Sequence, residues 1–268
     1  MKRYIEWNRI RETDSEFHGA EMRFLIYNIA YGTGAPSGMG ENILTVHRYL
    51  RTNRQHLECV IDYIASCNAD VVGLVEVDTG SFRTNYVNQA QQIASAVKQY
   101  QHCAVKYAPD SLTRKIPILR RQSNAFLTKR KRPPCAFHYF PTGMKRLVLE
   151  MEVDGVHLFL LHLALGPLAR RRQLEYLGEV IPKNAPVVIG GDFNLFGGTR
   201  EMERFMENFS LRSANDRNLP TYPSWKAEKQ LDFILYSDHI RPLHFEVGCA
   251  RCSDHLPLLF DFELKRKS

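Results

Sequence analysis

Val187-Val188-Ile189-Gly190-Gly191-Asp192-Phe193-Asn194 is a short apolar run that stops abruptly at an acid. β-Branched residues in a run of this length, bordered by turn formers, fit a buried strand, and the polar end puts Asp192 and Asn194 at its tip. The same pattern recurs on both sides. Met22 to Tyr27 stops at Asn28, Asp70 to Val75 stops at Glu76, and Val156 to Leu161 runs into His162. Leu231 to Tyr236 carries Asp232 near its start, and Leu256 to Leu264 follows Ser253-Asp254-His255. The peptide Val153-Asp154-Gly155-Val156 predicts a hairpin joining Leu147–Val153 to the strand after it.

Helical spacing of apolar residues predicts helices over Asn42 to Ala65 (interrupted at Arg51 to Arg54), Tyr86 to Gln99, Arg170 to Val180 and Thr199 to Glu207. Strands mixed with helices, plus an antiparallel hairpin, argue for a mixed α/β sandwich rather than a purely parallel sheet. There is no internal repeat and no long Pro/Gly/Ser-rich linker. Residues 1–20 therefore read as an N-terminal extension and 21–268 as one domain, with Asp110 to Pro134 as a basic, loop-like insertion.

The chain has 268 residues, 44% of them hydrophobic, and a formal net charge of +7. Nothing reaches the roughly 18 consecutive apolar residues of a membrane-spanning helix, and no apolar stretch follows the N-terminal basic residues as in a secretory signal. A cytoplasmic location is the expectation. Basic residues bunch at Arg114-Lys115, Arg120-Arg121, Lys129 to Arg132, Arg170 to Arg172 and Lys265 to Lys267. They suit a nucleic acid, an anionic lipid surface or a phosphorylated small molecule, or else are solvated faces. No protein partner is implied. Six cysteines in a chain of this length do not form a disulfide framework. Cys249 and Cys252 make a lone CxxC that reads as two thiols of a reducing compartment.

Polar residues ending apolar strands collect at one rim of a sheet, where loops carry function on a rigid base. Here the set is Asn28, Glu76, His162, Asp192, Asn194, Asp232, Asp254 and His255. One such Asp is an ordinary turn former and one such His an ordinary structural residue; eight in the same context point to a site. Oxygen-rich donors with a few nitrogens suit Mg²⁺ or Mn²⁺ better than zinc. Phosphate-ester hydrolysis uses such a set fully, since its barrier demands about 20 kcal/mol or more of stabilisation from a metal, a base for water and donors around phosphorus.

The series LIYN (Asn28), LVEVD (Glu76), LHLAL (His162), GGDFN (Asp192, Asn194), LDFIL (Asp232) and SDH (Ser253, Asp254, His255) resembles, in order, the motifs of the endonuclease/exonuclease/phosphatase superfamily. The resemblance implies a four-layer αββα sandwich like that of deoxyribonuclease I. It also implies metal binding by Glu76 with Asn28 and Asp254 nearby, and activation of water by Asp192. Asn194 and His162 would hold phosphate oxygens, and Asp232 would hydrogen-bond and charge His255. Asn124, in Ser-Asn-Ala-Phe-Leu, resembles the segment that supports this rim. Val75, Leu161 and Ser123 depart from the Gln, Thr or Ser, and Gly that many members carry. His162 to Leu177 and Tyr222 to Trp225 resemble the bacterial, sphingomyelinase-like phosphodiesterase branch, although an amphipathic helix with a basic face explains the first equally. The expected substrate is a phospholipid headgroup or small phosphodiester. The alternatives are a nuclease or end-processing enzyme, an inositol-phosphate-type phosphatase, and a catalytically inert scaffold.

Overall fold

The computed structural model describes residues 21–34, 52, 54–105, 119–140 and 147–265. The expected 1–20 extension, most of the helix expected before Arg54, and the basic residues 114, 115, 266 and 267 lie outside them. Two six-stranded sheets carry the fold. The first has the order β11 (Ile240–Val247), β12 (Leu258–Leu264), β1 (Met22–Asn28), β2 (Val71–Asp78), β4 (Gln122–Thr128), β3 (Tyr100–Val105). The second runs β5 (Cys135–Tyr139), β6 (Leu147–Val153), β7 (Val156–His162), β8 (Val187–Asp192), β10 (Asp232–Ser237), β9 (Leu211–Ser213).

Alternation along the strands builds the layers. Phe24 and Ile26 of β1 meet Leu158, Leu160, Val188 and Ile234 of the other sheet in one core. Leu25 and Tyr27 face the opposite way, onto Leu57, Val60 and Ile64 of helix α1 (Arg54–Cys67) and Ile93 of α2 (Gln89–Ala96). On the far side Phe159, Leu161 and Ile189 pack on Leu174 and Leu177 of α3 (Pro167–Val180) and on Met202 and Phe205 of α4 (Arg200–Asn208). Strands covered on both faces read as continuous apolar runs, which is why β1, β2, β7 and β8 stand out in the sequence. The layers are helix, sheet, sheet, helix, as the αββα reading requires.

Glycine sets the distance between the sheets at one point. A Cβ on Gly73 or on Gly190 would lie 2.6 Å from Ile26 Cδ1, so each sheet gives way to that side chain. β1 runs parallel to β2 with Asn28 opposite Val75, and β7 parallel to β8 with His162 opposite Asp192. All four strands thus end together. The expected hairpin is present, with Val153 opposite Val156 and both turn residues at positive φ (Asp154 50°, Gly155 79°), as a two-residue turn needs.

Several elements depart from the sequence expectation. α2 begins at Gln89 rather than Tyr86 because Tyr86 sits at φ 63° and Asn88 caps the helix, its side chain accepting from Gln91 N. α3 begins at Pro167, whose missing N–H suits a first helical turn. The expected insertion contains β4, an interior strand between β2 and β3; the basic residues on either side of Gln122–Thr128 obscure its alternation. Cys252 is bonded to Cys59 of α1 and Cys249 is exposed, which corrects the reading of the CxxC as two thiols. Disulfides persist in oxidising compartments, so the pairing is at odds with the reducing surroundings expected from sequence. No helix among the described residues is long and apolar enough to cross a membrane.

Outside the strand-end rim, Glu150 of β6 lies between His138 Nε2 (2.7 Å) and His157 Nδ1 (3.0 Å). Burial works to raise its carboxyl, but the two imidazoles outweigh it and hold the pKa down to about 2. The Glu150 bond in turn raises His157. A depressed Glu stabilises the fold above its unfolded value of 4.5 and loses that effect as pH falls towards 2. A raised His contributes below its unfolded 6.5 and loses the effect as pH climbs through its folded value. The cluster is therefore strongest between roughly pH 4.5 and 6.5. Thermal melts should show Glu150→Gln below wild type by about 2–4 °C near pH ~5.5, with a smaller gap near pH ~8.5; an equal gap at both would show that His157 is not titrating against Glu150.

Candidate active site

Glu76 owes its position to an irregularity in β2. Leu74 pairs with Ala125 and Val77 with Ser123, so Val75 and Glu76 together face Asn124. This is a bulge, a device that re-aims a side chain. Glu76 adopts φ 59°, and its N–H donates to Asn124 Oδ1 at 3.3 Å. A non-glycine residue there is strained by about 1–2 kcal/mol, and strain of this kind collects at functional sites. Asn124 thus supports the rim from the neighbouring strand, and its buried Nδ2 has no hydrogen-bond partner among the described residues.

Asp192, at the tip of β8, is the hub. Its Oδ2 accepts from Asn28 Nδ2 at 3.1 Å and lies 3.2 Å from His162 Nε2 and 3.9 Å from His255 Nε2. Its Oδ1 accepts from Asn194 N at 2.9 Å. Gly191 must precede it: at φ 146°, an added Cβ would stand 2.0 Å from Leu161 O. His162 spans the two sheets, with Nδ1 3.6 Å from Glu76 Oε1. Asn194 turns at φ 54° and donates Nδ2 to Leu163 O at 2.8 Å, so part of the amide expected to meet phosphate is already used to hold a loop.

His255 and Asp232 form a buried pair, Nδ1 to Oδ2 at 2.8 Å. Burial opposes a charged imidazole, but the carboxylates of Asp232, Asp192 and Asp254 outweigh it and carry the His255 pKa up to about 10. Asp254 is pushed up, first by burial, with His255 opposing and Glu76 adding to the rise. Ser253 Oγ donates to Asp254 Oδ1 at 3.2 Å and accepts from His255 N at 3.5 Å, fixing the loop from within. All ten residues singled out in the sequence therefore lie at this rim or directly beneath it.

Sequence reading missed the residues that brace them. Thr221 Oγ1 donates to Asp232 Oδ2 at 2.7 Å and receives Leu231 N and Asp232 N. The Tyr222 ring lies 5.0 Å from that of His255. Buried Asp78 and Arg83 pair at 2.8 Å, and Arg83 covers the Tyr31 ring at 4.1 Å, tying the loop after Glu76 to the loop after Asn28. Arg170 is buried, not on a solvated basic face. Its Nη1 donates to Leu165 O (2.9 Å) and Asn194 O (2.8 Å), and its Nε meets Glu201. The resemblance to the phosphodiesterase branch picked out Arg170 to Arg172 and Gln173, but helical spacing alone left Arg170 on a basic face.

Two donor sets could hold a cation. Asp192, Asp232 and His255 bring ligand atoms within 4.8 Å of one another, but His255 gives its Nδ1 to Asp232 and is held protonated. Glu76 and Asp254 fit better: the Glu76 carboxylate adds to the rise in the proton affinity of Asp254, and two such carboxylates favour a divalent ion. The orphaned Asn124 Nδ2 beneath Glu76 leaves a donor for a water or an oxygen ligand at the same place.

The model of the Endonuclease/Exonuclease/phosphatase family matches residues 25–255. The chain belongs to that family. Its members are hydrolases acting on phosphoester bonds, commonly with a divalent metal. A protein of Erwinia tasmaniensis named only as a UPF0294 protein is 27% identical over 151 residues, 55% of this chain and 50% of that protein, so the match spans half the length of this relative. An endonuclease/exonuclease/phosphatase structure from Beutenbergia cavernae superposes with a TM-score of 0.68 at 15% identity, covering 91% of this chain and 72% of the other. ANGEL2, described as a 2',3'-cyclic phosphatase in complex with adenosine-2',3'-vanadate, gives 0.64 at 15% identity over 97% and 100%. The human Nocturnin catalytic domain with bound sulfate gives 0.63 at 19% over 91% and 94%. These likenesses concern the fold.

For a family member, the strain at Glu76 makes a direct prediction. Glu76→Gly removes the φ penalty and the repulsion with Asp254, so it should melt about 2–4 °C higher than wild type while losing phosphoester hydrolysis. A lower melting temperature, read by calorimetry, would mean that the Glu76 side chain holds the rim together rather than working in it.

Proposed function

We propose that the protein is a divalent-metal-dependent phosphodiesterase, using Mg²⁺ or Mn²⁺, whose substrate is a phospholipid headgroup or another small phosphodiester. The observation that carries this reading is the juxtaposition of a charged His255–Asp232 pair, an oriented Asp192 and the mutually repelling Glu76 and Asp254. A metal held by Glu76 and Asp254, with Asn28 nearby, would supply charge to neutralise phosphate oxygens.

The protein's own groups account for the rest. Asp192, fixed through both oxygens, takes a proton from the water that attacks phosphorus as the bond to the leaving oxygen breaks, and that oxygen is protonated from solvent. His255, donating Nδ1–H to Asp232, presents a positive Nε2–H where negative charge builds on phosphate. His162 and the unused amide hydrogen of Asn194 are donors at the same face. Bis-p-nitrophenyl phosphate is to be tested with Mg²⁺, with Mn²⁺ and with chelator. Turnover should need metal, vanish in Asp192→Ala, and fall by about 10²–10³ in kcat with little change of KM in His255→Ala. Undiminished turnover with chelator would overturn the metal role, and a change confined to KM would make His255 a binding residue.

A second reading is a phosphodiesterase of nucleic acid ends. It is supported by the basic clusters and by the neighbour described as a 2',3'-cyclic phosphatase, whose substrate type is itself a cyclic diester. Affinity for an oligonucleotide that falls steeply with salt would favour it.

A further inference from the structure

We propose that the rim around the active site is a docking surface for an anionic lipid bilayer; this rests on the phosphodiesterase reading and names the surface on which that site works. Eight large apolar residues stand exposed among the described residues. Six of them sit on three segments that follow the strand ends carrying the site: Phe82, Tyr86 and Val87 after β2, Leu165 and, in the first turn of α3, Leu168 after β7, and Phe196 after β8. The other two are elsewhere. Tyr100 pairs with Thr128, which also pairs with Val71 at the opposite end of the first sheet, and Leu243 lies on edge strand β11. Single exposed apolar residues are ordinary, but a concentration on one face marks an interaction site.

The loops are held in this pose from below. Arg170 binds the carbonyls of Leu165 and Asn194, and the Asp78–Arg83 pair anchors the loop of Phe82 and Tyr86. The polar groups turn inward while Leu165 and Leu168 remain 62% and 65% exposed. Cationic side chains border the apolar ones. Arg171 and Arg172 follow Leu168 by three and four positions and share its helix face. Arg120 and Arg121 are exposed beside the post-β2 loop, where Arg121 O accepts Thr79 N at 2.9 Å. Lys229 Nζ stands 5.0 Å above the Phe196 ring. Apolar tips ringed by long basic side chains match a bilayer with anionic headgroups, where stems bury and charges meet phosphate. Nucleic acid would share the charge and could stack on Phe82, Tyr86 or Phe196, but the most exposed residues after β7, Leu165 and Leu168, offer aliphatic surface with no flat face for a base.

The full chain is to be sedimented with vesicles of phosphatidylcholine alone and of phosphatidylcholine with phosphatidylglycerol. Binding should be at least ~10-fold stronger to the anionic vesicles, and Leu165→Gln/Leu168→Gln should weaken it by about 10-fold or more. Turnover of bis-p-nitrophenyl phosphate, a soluble diester, should be unchanged in that variant, which shows it is folded. Absence of vesicle binding, or binding indifferent to the two substitutions, overturns the proposal. Loss of oligonucleotide affinity in place of vesicle affinity overturns it too, in favour of nucleic acid. Failure of wild type to cleave the diester would count against the reading of the site, while vesicle binding would still judge the docking surface.

Discussion

Ile26 lies between the two sheets where Gly73 and Gly190 leave room for it, and the rest of the site depends on that close approach. A methyl group on Gly190 would run into Ile26 across the sheet interface. One on Gly73 would crowd Ile26 beside it and Leu160 opposite, so either would force the packing there to shift. Because each sheet contributes a parallel pair, the approach brings four strand tips together: Asn28 and Glu76 from one side, His162 and Asp192 from the other. The hydrogen bond from Asn28 to Asp192 and the span of His162 between Glu76 and Asp192 are consequences of this geometry. Neither sheet could assemble the constellation alone.

Electrostatics explain why the assembled tips are poised rather than settled. Glu76, Asp192, Asp232 and Asp254 crowd together with His162 and His255 as the facing bases. Asp232 satisfies its charge through His255 and Thr221, and Asp192 through Asn28 and Asn194. Asp254 accepts a hydrogen bond from Ser253, yet its proton affinity is raised, first by burial and further by the charge of Glu76. The strained backbone of Glu76 adds a further cost. The fold thus carries stored unfavourable energy at one corner, which a divalent cation would relieve.

Much of this was legible in the sequence because the strands at the site are covered on both faces and end in polar residues. Unbroken apolar runs identified β1, β2, β7 and β8, and their ends named Asn28, Glu76, His162 and Asp192. What escaped were features whose signal is local geometry rather than composition. β4 alternates across a half-polar stretch between basic clusters, so its interior position was hidden. The bulge at Glu76 depends on pairing with Asn124, which no single segment reveals. Cys59 and Cys252 are 193 residues apart, and only the packing of α1 against the loop before Ser253 brings them to bonding distance. Arg170 read as part of a basic cluster and Arg83 drew no reading, because composition does not distinguish a guanidinium that turns inward to meet carbonyls or a carboxylate.

Those two arginines join the site to its surroundings. Each lies beneath a loop that carries catalytic-site neighbours on its inner side and apolar residues on its outer side. A guanidinium offers five donors in a rigid plane: Arg170 meets the carbonyls of Leu165 and Asn194, while Arg83 holds the Asp78 carboxylate, which itself accepts from Gly80 N and Ser81 N. With the backbone polar groups satisfied internally, the loop need not hide its apolar side chains to fold. Leu165, Leu168, Phe82 and Tyr86 are left facing out, on the segments that leave the strand ends carrying Glu76 and His162. The internal polar bracing and the external apolar rim are therefore two sides of one arrangement: a loop so braced can expose apolar surface beside a charged site without collapsing onto it.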